Sequence, residues 1–227
     1  MATAALAAAA QAPSAPAPRL TVVLDAAHGG DDAGGHSSNW MEKNFTLALS
    51  VRLRSLLAAR GIAVVTTRES DITLDTEHRD EIANHARAQA CISLHATLTG
   101  TGVHIFAPSL APAAPTHFLP WKTAQAAFVS RSVALEGMLN SALQHAGAAV
   151  TVGRVALPIL DSMTCPAVAV EVAPERGADR SADQSPSDSL NDPGYQSRVA
   201  EALAAGLVEW QSEGGRLETR NSEARQP

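Results

Sequence analysis

The sequence predicts a single α/β domain in which a mostly parallel, mixed and twisted sheet carries helices on both faces. The first observation is the run TVVLDAAHGG at 21–30, whose apolar, β-branched residues predict a buried strand. The second is that a helical pattern and another short apolar run follow it, and this order forms a parallel βαβ unit. The third is a length of 227 residues with 45% hydrophobic residues, which suffices for one sizeable core.

The remaining elements follow from periodicity and from the residues that interrupt it. Apolar runs predict strands at 20–24, 62–66, 91–96, 102–107 and 167–172, and the stretch 150–160 is extended or mixed. Helical spacing predicts helices over 41–60, 74–90, 122–147 and 193–210. We expect Thr73 to cap the second helix, with Leu74, Ile82 and Ala86 facing inward. The Pro-rich residues 107–120 and the polar residues 178–192 predict irregular loops.

The domain is predicted to span 19–212, with a disordered segment at either end. Residues 1–18 are rich in Ala and Pro and resemble the small-residue end of a secretory signal, or a flexible leader after one. Residues 213–227 predict a polar tail with no core to join. We therefore expect an exported protein, periplasmic or secreted, with no membrane span and with its full signal peptide not encoded here.

Charge excludes one class of partner. The formal net charge is −6 and the pI is about 5.7, so the chain lacks the basic surface of a nucleic-acid-binding protein. No block of basic residues indicates binding to a membrane surface.

The two cysteines, Cys91 and Cys165, allow two interpretations. Each begins an apolar stretch, so on neighbouring strands the two sulfurs would lie at the same end of the sheet. Either the two form a disulfide or they are buried free thiols, because spacing alone does not establish the geometry of a bond.

Three residues are predicted to meet at one edge of the sheet. His28 and His95 follow strands, and Glu42 lies in the first turn of the helix after the first strand. The carboxyl edge of an open α/β sheet is where ligands bind. Two imidazoles and one carboxylate are typical of a catalytic zinc site with a fourth position open to water. Glu171, inside an apolar strand that ends at this edge, is the expected general base.

Each residue also has a simpler interpretation. A histidine beside two glycines is most often a packed loop residue, and a glutamate in a first helical turn is favoured by the helix dipole without any metal. Glu171 is harder to explain structurally, because a carboxylate between two valines loses hydration unless it is paired or used.

Several motifs occur in a telling order. They are LDAAHGG at 24–30, Glu42 with Lys43, Thr67 with Arg68, Leu74, Arg79, Ala83 with Asn84, SLHA at 93–96 and PAVAVE at 166–171. In this order they resemble the zinc-dependent N-acetylmuramoyl-L-alanine amidases of the bacterial cell-wall type, which are related in fold to zinc exopeptidases. The resemblance spans about residues 20–210.

The resemblance implies a site and a reaction. His28, Glu42 and His95 would bind one zinc ion, and Glu171 would be the catalytic glutamate. The substrate would be peptidoglycan or a muropeptide, cut at the amide between the lactyl group of muramic acid and the L-alanine of the stem peptide. Two alternatives remain: a zinc peptidase or deacylase acting on another amide, and a non-catalytic peptidoglycan-binding module of the same fold.

The sequence departs from the family pattern at two places beside the site. Ala26 and Ala27 stand where the family usually has Pro-Gly, so the turn before His28 is expected to differ. VAPERG at 172–177 replaces a Gly-Phe-Leu-Ser-Asn run, which predicts a differently shaped groove beside Glu171.

Three further residues are candidates for supporting or substrate-binding roles. Asp25 is expected either to accept the second N–H of His28 or to cap the turn after the strand. For Arg68 and Arg79, pairing with an acid is favoured over binding substrate. The other histidines, His104 among them, have no partner of the right type at a telling spacing.

One expectation concerns regulation. Some family members carry a helical insert that covers the zinc site until a partner protein removes it. The comparable region here, 107–121, is short and Pro-rich, and predicts a site that is open without a protein activator.

Overall fold

In the computed structural model the chain is described over residues 20–114, 119–175 and 185–223, with side chains up to 214. The predicted leader at 1–18, His117, the end of the tail at 224–227 and parts of the two predicted loops lie outside these ranges. The strands are β1 (Thr21–Ala26), β2 (His36–Ser37), β3 (Trp40–Met41), β4 (Ala63–Thr66), β5 (Ala90–Ala96), β6 (Val103–Pro108), β7 (Val150–Val155) and β8 (Ala167–Val172). The helices are α1 (Glu42–Ala58), α2 (Thr76–His85), α3 (Val129–His145), α4 (Pro158–Asp161), α5 (Pro186–Asn191) and α6 (Pro193–Glu223), with a 3₁₀ helix at Trp121–Ala127.

Six strands form one mixed sheet in the order β4-β1-β5-β8-β6-β7. All neighbouring strands are parallel except β6 and β8, which are antiparallel. The carboxyl ends of β1, β5 and β8 therefore lie at the same edge, together with the amino end of β6. The predicted α/β class and mostly parallel sheet are confirmed.

One face of the sheet, here called the long-helix face, is covered by α1, α3 and α6. Every second residue of the central strands points into this layer, including Leu24, Ile92 and Val170, all of which are fully buried. The three helices supply leucines at helical spacing, and α6 packs against both α1 and α3.

The opposite face, here called the short-helix face, is covered by α2, α4 and the 3₁₀ helix. Its apolar core is smaller and joins Val23, Ala167 and Ala169 to residues of α4 and of the turn after it. Cys91 and Cys165 form a disulfide within this core, with Cα atoms 6.1 Å apart. The pairing decides between the two interpretations of the cysteines.

Helix α2 differs from its prediction. Asp75, not Thr73, is the N-cap, because the Asp75 carboxylate accepts the His78 backbone N–H at 2.9 Å. Thr73 instead accepts the backbone N–H of Asp31. The buried residues of the helix are Arg79, Asp80 and Ala83, whereas Leu74, Ile82 and Ala86 are only partly buried.

The helix predicted over 122–147 is divided at Phe128, where the 3₁₀ helix ends and α3 begins. The division follows from Gln125, which is fully buried and whose amide donates to the carbonyls of Leu160, Met163 and Cys165. A straight α-helix would not direct this amide into the backbone of the α4 region, so a satisfied polar side chain outweighs the local helical pattern.

Two segments predicted to be irregular are helical. Residues 186–191 form α5, which begins with a capping box between Ser185 and Asp188. Helix α6 continues past the predicted end at Trp210 and through most of the predicted tail to Glu223. Extending a helix that has already nucleated costs little, which accounts for the helix beyond Trp210. No helix among the described residues is both long and apolar enough to cross a membrane.

Candidate metal centre

The turn after β1 has a strained backbone, and two buried arginines donate hydrogen bonds to its carbonyl groups. His28 has a φ of +62°, which is uncommon for a residue with a side chain, and it persists where the surroundings fix it. Arg79 donates to the carbonyls of Ala26 and His28, both at 2.7 Å. Arg68 donates to the carbonyls of Ala26 at 2.8 Å and Ala27 at 3.1 Å. Both arginines are buried. Arg79 pairs with the Asp25 carboxylate at 2.8 Å, whereas Arg68 contacts backbone carbonyls and the Thr46 hydroxyl.

Glu42 begins α1 and reaches across the carboxyl edge of the sheet. Its Oε2 lies 3.2 Å from His28 Nε2, and its Oε1 lies 3.2 Å from His95 Nδ1. The same two oxygens accept the backbone N–H groups of Gly35 at 2.9 Å and Ala96 at 3.1 Å. Burial opposes ionisation, yet the bonds from the two histidines and the two amides hold the pKa of Glu42 well below its usual value.

Among the residues that the structure describes, His28, Glu42 and His95 form a group that could hold a metal ion. One ligand atom from each lies within 4.8 Å of the others, and the imidazole rings of the two histidines meet edge to face with centroids 5.7 Å apart. The hydrogen bond to Glu42 raises the pKa of His28 to about 9. Two imidazole nitrogens and a carboxylate oxygen match the donor set of a catalytic zinc site.

Gly34 lies beside this cluster, at a position where a side chain would collide with the ligand residues. A Cβ at this position would lie 2.6 Å from His28 Cδ2 and 2.7 Å from Glu42 Oε2, and its φ of +64° also favours glycine. The loop after β1 therefore passes close to the ligand atoms with backbone alone.

The partner of His28 is Asp32, not Asp25. His28 Nδ1 lies 2.7 Å from Asp32 Oδ2, which leaves Nε2 facing Glu42. The expectation that Asp25 accepts from His28 is wrong, because the Asp25 side chain points from β1 onto the short-helix face. There it accepts from Thr67, Arg79 and Ser93, each at 2.8 Å.

Asp25 reaches the other histidine instead. Ser93 Oγ donates to Asp25 Oδ2 and lies 3.3 Å from His95 Nε2. The ring of His95 is thus held on one side by Ser93 and Asp25, while its Nδ1 faces Glu42. Contacts of this kind fix which nitrogen of a histidine is free to bind a metal.

Glu171 lies beside the cluster, near the end of β8. It pairs in register with His95 on β5 and with His104 on β6, and its side chain is partly exposed. His104 Nδ1 lies 2.9 Å from Glu171 Oε2. Sequence analysis missed both this contact and Asp32. The position of Asp32, four residues after His28, could have indicated its contact with that histidine. The sequence carries no signal for the antiparallel pairing of β6 with β8, which produces the contact between His104 and Glu171.

Comparisons with known proteins point to one family. The family model described as N-acetylmuramoyl-L-alanine amidase matches residues 22–209. The germination-specific N-acetylmuramoyl-L-alanine amidase of Bacillus subtilis is 26% identical over 216 residues, covering 86% of this chain and 81% of that protein.

Solved structures show the same fold. The catalytic domain of CwlV, an N-acetylmuramoyl-L-alanine amidase of Bacillus (Paenibacillus) polymyxa, is 25% identical with a TM-score of 0.66, covering 85% of this chain and 98% of that domain. Ami1 of Mycobacterium smegmatis gives a TM-score of 0.67 at 21% identity, covering 86% of this chain and 97% of that one, and supports the fold alone. Since the family match spans most of the domain, this chain belongs to the N-acetylmuramoyl-L-alanine amidase family.

Proposed function

We propose that this amidase holds one zinc ion with His28, Glu42 and His95 and uses Glu171 as its general base. The observation that carries the proposal is the convergence of the three ligand atoms beside a second acidic side chain, Glu171, on the strand next to β5. The substrate is the amide between the lactyl group of N-acetylmuramic acid and the L-alanine of the stem peptide.

The chain's own residues account for the roles of both histidines. Asp32 accepts the Nδ1 proton of His28, so Nε2 is the ligand atom. Ser93 accepts from Nε2 of His95, so Nδ1 is the ligand atom. The pKa of Glu42 lies below its usual value, so its carboxyl group stays ionised. A carboxylate must be ionised to bind a metal.

The reaction is a hydrolysis with one proton transfer in each direction. When bound, zinc supplies a Lewis acid that polarises the scissile carbonyl and makes water more acidic. Glu171 takes a proton from the attacking water while the water oxygen forms a bond to the carbonyl carbon. The C–N bond then breaks, and Glu171 returns the proton to the departing amine of L-alanine.

We propose that the enzyme acts outside the cytoplasm, in the periplasm or as a secreted protein. Its substrate class belongs to the cell wall, and the disulfide between Cys91 and Cys165 is typical of oxidising compartments.

We also propose that the site is open without a protein activator. Strand β6 runs antiparallel to β8, so the segment after Pro108 starts at the sheet edge opposite the metal cluster. From that edge a short segment is poorly placed to cover His28 and Glu42. The zinc-loaded protein should therefore cut muropeptides with no added partner, and activity that required a partner would contradict this.

The test separates metal binding from catalysis. His28→Ala should lose zinc and activity together, whereas Glu171→Gln should keep one zinc per chain and lose cleavage by about 100-fold or more. Glu201→Gln is the matched control, because Glu201 is exposed on α6 and should change neither quantity.

Product analysis tests the bond that is cut. Mass spectrometry of digested muropeptides should show an intact stem peptide with a free L-alanine amine. A product whose new free amine belongs to a residue other than this L-alanine would favour the peptidase or deacylase. A wild-type protein that binds zinc and cuts nothing would favour the binding module.

A further inference from the structure

Three side chains form a row across the sheet beside the metal cluster. Glu171 on β8 pairs in register with His95 on β5 and with His104 on β6. Registered partners point to the same face of a sheet, so all three lie on the short-helix face. His95 belongs to the metal cluster, whereas His104 does not. Within the described part of the chain, the polar partner of the His104 side chain is Glu171.

The imidazole of His104 is held in place by its neighbours. A Cβ at Gly100 would lie 3.1 Å from His104 Cε1, so the turn before β6 passes closely over the ring. Phe106 meets the ring edge to face with centroids 6.3 Å apart. The side chain of His104 is 19% exposed, which leaves it mostly shielded from water. A histidine packed in this way offers its Nδ1 to a single acceptor in a fixed direction.

We propose that His104 is a positioning residue for Glu171, an inference that rests on the proposed role of Glu171 as general base. The Nδ1–H of His104 donates to Oε2 of Glu171 at 2.9 Å and so fixes the rotation of the carboxylate. With Oε2 engaged, Oε1 is the oxygen that takes the proton from water. A base must lie within hydrogen-bond reach of the proton it removes, so fixing the carboxylate raises the turnover rate.

A direct test compares two substitutions at His104 in the zinc-loaded enzyme. His104→Leu removes the donor at similar bulk and should lower kcat by about 10-fold or more, with KM within about twofold and zinc content unchanged. His104→Asn keeps an N–H donor near the position of Nδ1 and should restore most of the lost kcat. Thr151→Val is the matched control, because Thr151 is the exposed partner of His104 on β7 and should behave as wild type.

A second measurement does not depend on turnover. Nitrogen NMR of the imidazole should show Nδ1 of His104 protonated in the wild type, and Glu171→Leu should shift this signal while leaving His145 unchanged. The measurement holds even if His104→Leu fails to fold. An Nδ1 signal that is insensitive to Glu171 would overturn the inference.

The other outcomes are distinguishable. If the wild type binds zinc and cleaves, and His104→Leu keeps full kcat, the positioning role is wrong while the proposed function stands. If His104→Leu loses zinc, His104 belongs to the metal centre and the positioning role is also wrong. A wild type without zinc or cleavage would instead contradict the proposed function itself.

Discussion

The two faces of the sheet differ in how their residues change along the strands. On the long-helix face, β8 presents Val168, Val170 and Val172, which are all fully buried and apolar from one end to the other. On the short-helix face, the same strand presents Ala167 and Ala169 and then Glu171. Strand β5 repeats the pattern, with a disulfide-bonded cysteine first, then Ser93, then His95. On β5 and β8 the polar residues are therefore confined to the carboxyl half of one face.

The difference shows how one set of strands provides both stability and chemistry. Because side chains alternate, a strand can give one face to a continuous core and the other to a site. Asp25 stands at the centre of the polar half, where it accepts from Arg79, Thr67 and Ser93 while only 2% exposed. The polar half is thus a connected network that links β1, β5 and α2 beneath the metal cluster.

The largest expected effect comes from removing the centre of this network. Asp25→Ala leaves the buried Arg79 guanidinium without its carboxylate, and we expect a loss of about 3–5 kcal/mol in the free energy of unfolding. The ring of His95 also loses its support through Ser93, so zinc affinity should fall by about 10–100-fold. Urea denaturation and zinc competition with a chelator measure the two effects.

The control lies on the same strand and the same face. Val23→Ala, in the apolar half, should lower stability by about 1–3 kcal/mol and leave zinc affinity unchanged. An Asp25→Ala protein with full zinc affinity would show that the network stabilises the fold without orienting His95.

A smaller effect is expected from the long-helix face. Leu139 of α3 is fully buried, and a Cβ added to Gly206 of α6 would lie 3.0 Å from its Cδ2, so the two helices pack closely around it. Leu139→Ala should cost about 3 kcal/mol of unfolding free energy through lost contacts and a cavity. Zinc content and kcat of the folded protein should stay at wild-type values, and a change in either would mean that the faces are coupled.

The convergence of the metal cluster was predictable, because it follows from strand order alone. Parallel strands share a carboxyl edge, so residues after β1 and near the end of β5, such as His28 and His95, meet wherever those strands are neighbours. The first turn of α1 passes over the same edge and brings Glu42 there. Their place together is confirmed by the geometry, while their role as zinc ligands stays a prediction.

The polar contacts around the cluster were not predictable, because they are long-range. Glu171 and His104 are 67 residues apart and meet only because β6 pairs antiparallel with β8. Helix α2 shows the same limit. Its periodicity predicts an apolar buried side, but α2 lies over the polar half of the short-helix face and buries Arg79 and Asp80 instead.

The smallest effect is expected from a substitution at Asp80, and it should be an increase in stability. This carboxyl group is 5% exposed, Ser162 donates to its Oδ2, and its Oδ1 has no hydrogen-bond partner among the described residues. Burial, together with the charge of Asp25, raises the pKa of Asp80 from 3.8 to about 6. The folded state therefore binds this proton more tightly than the unfolded state, and stability falls as pH rises from about 4 through about 6.

Asp80→Asn removes the charge and keeps an oxygen for Ser162, so it should be more stable than wild type by about 1–2 kcal/mol at pH 8 and should lose this advantage near pH 4. Urea denaturation at both pH values measures the difference, and Glu81→Gln, the exposed neighbour on α2, should show none. An advantage that is the same at both pH values would have another cause than the ionised carboxylate. An advantage that appears only at high pH would show that the short-helix face keeps a buried charge beside the network at a cost in stability.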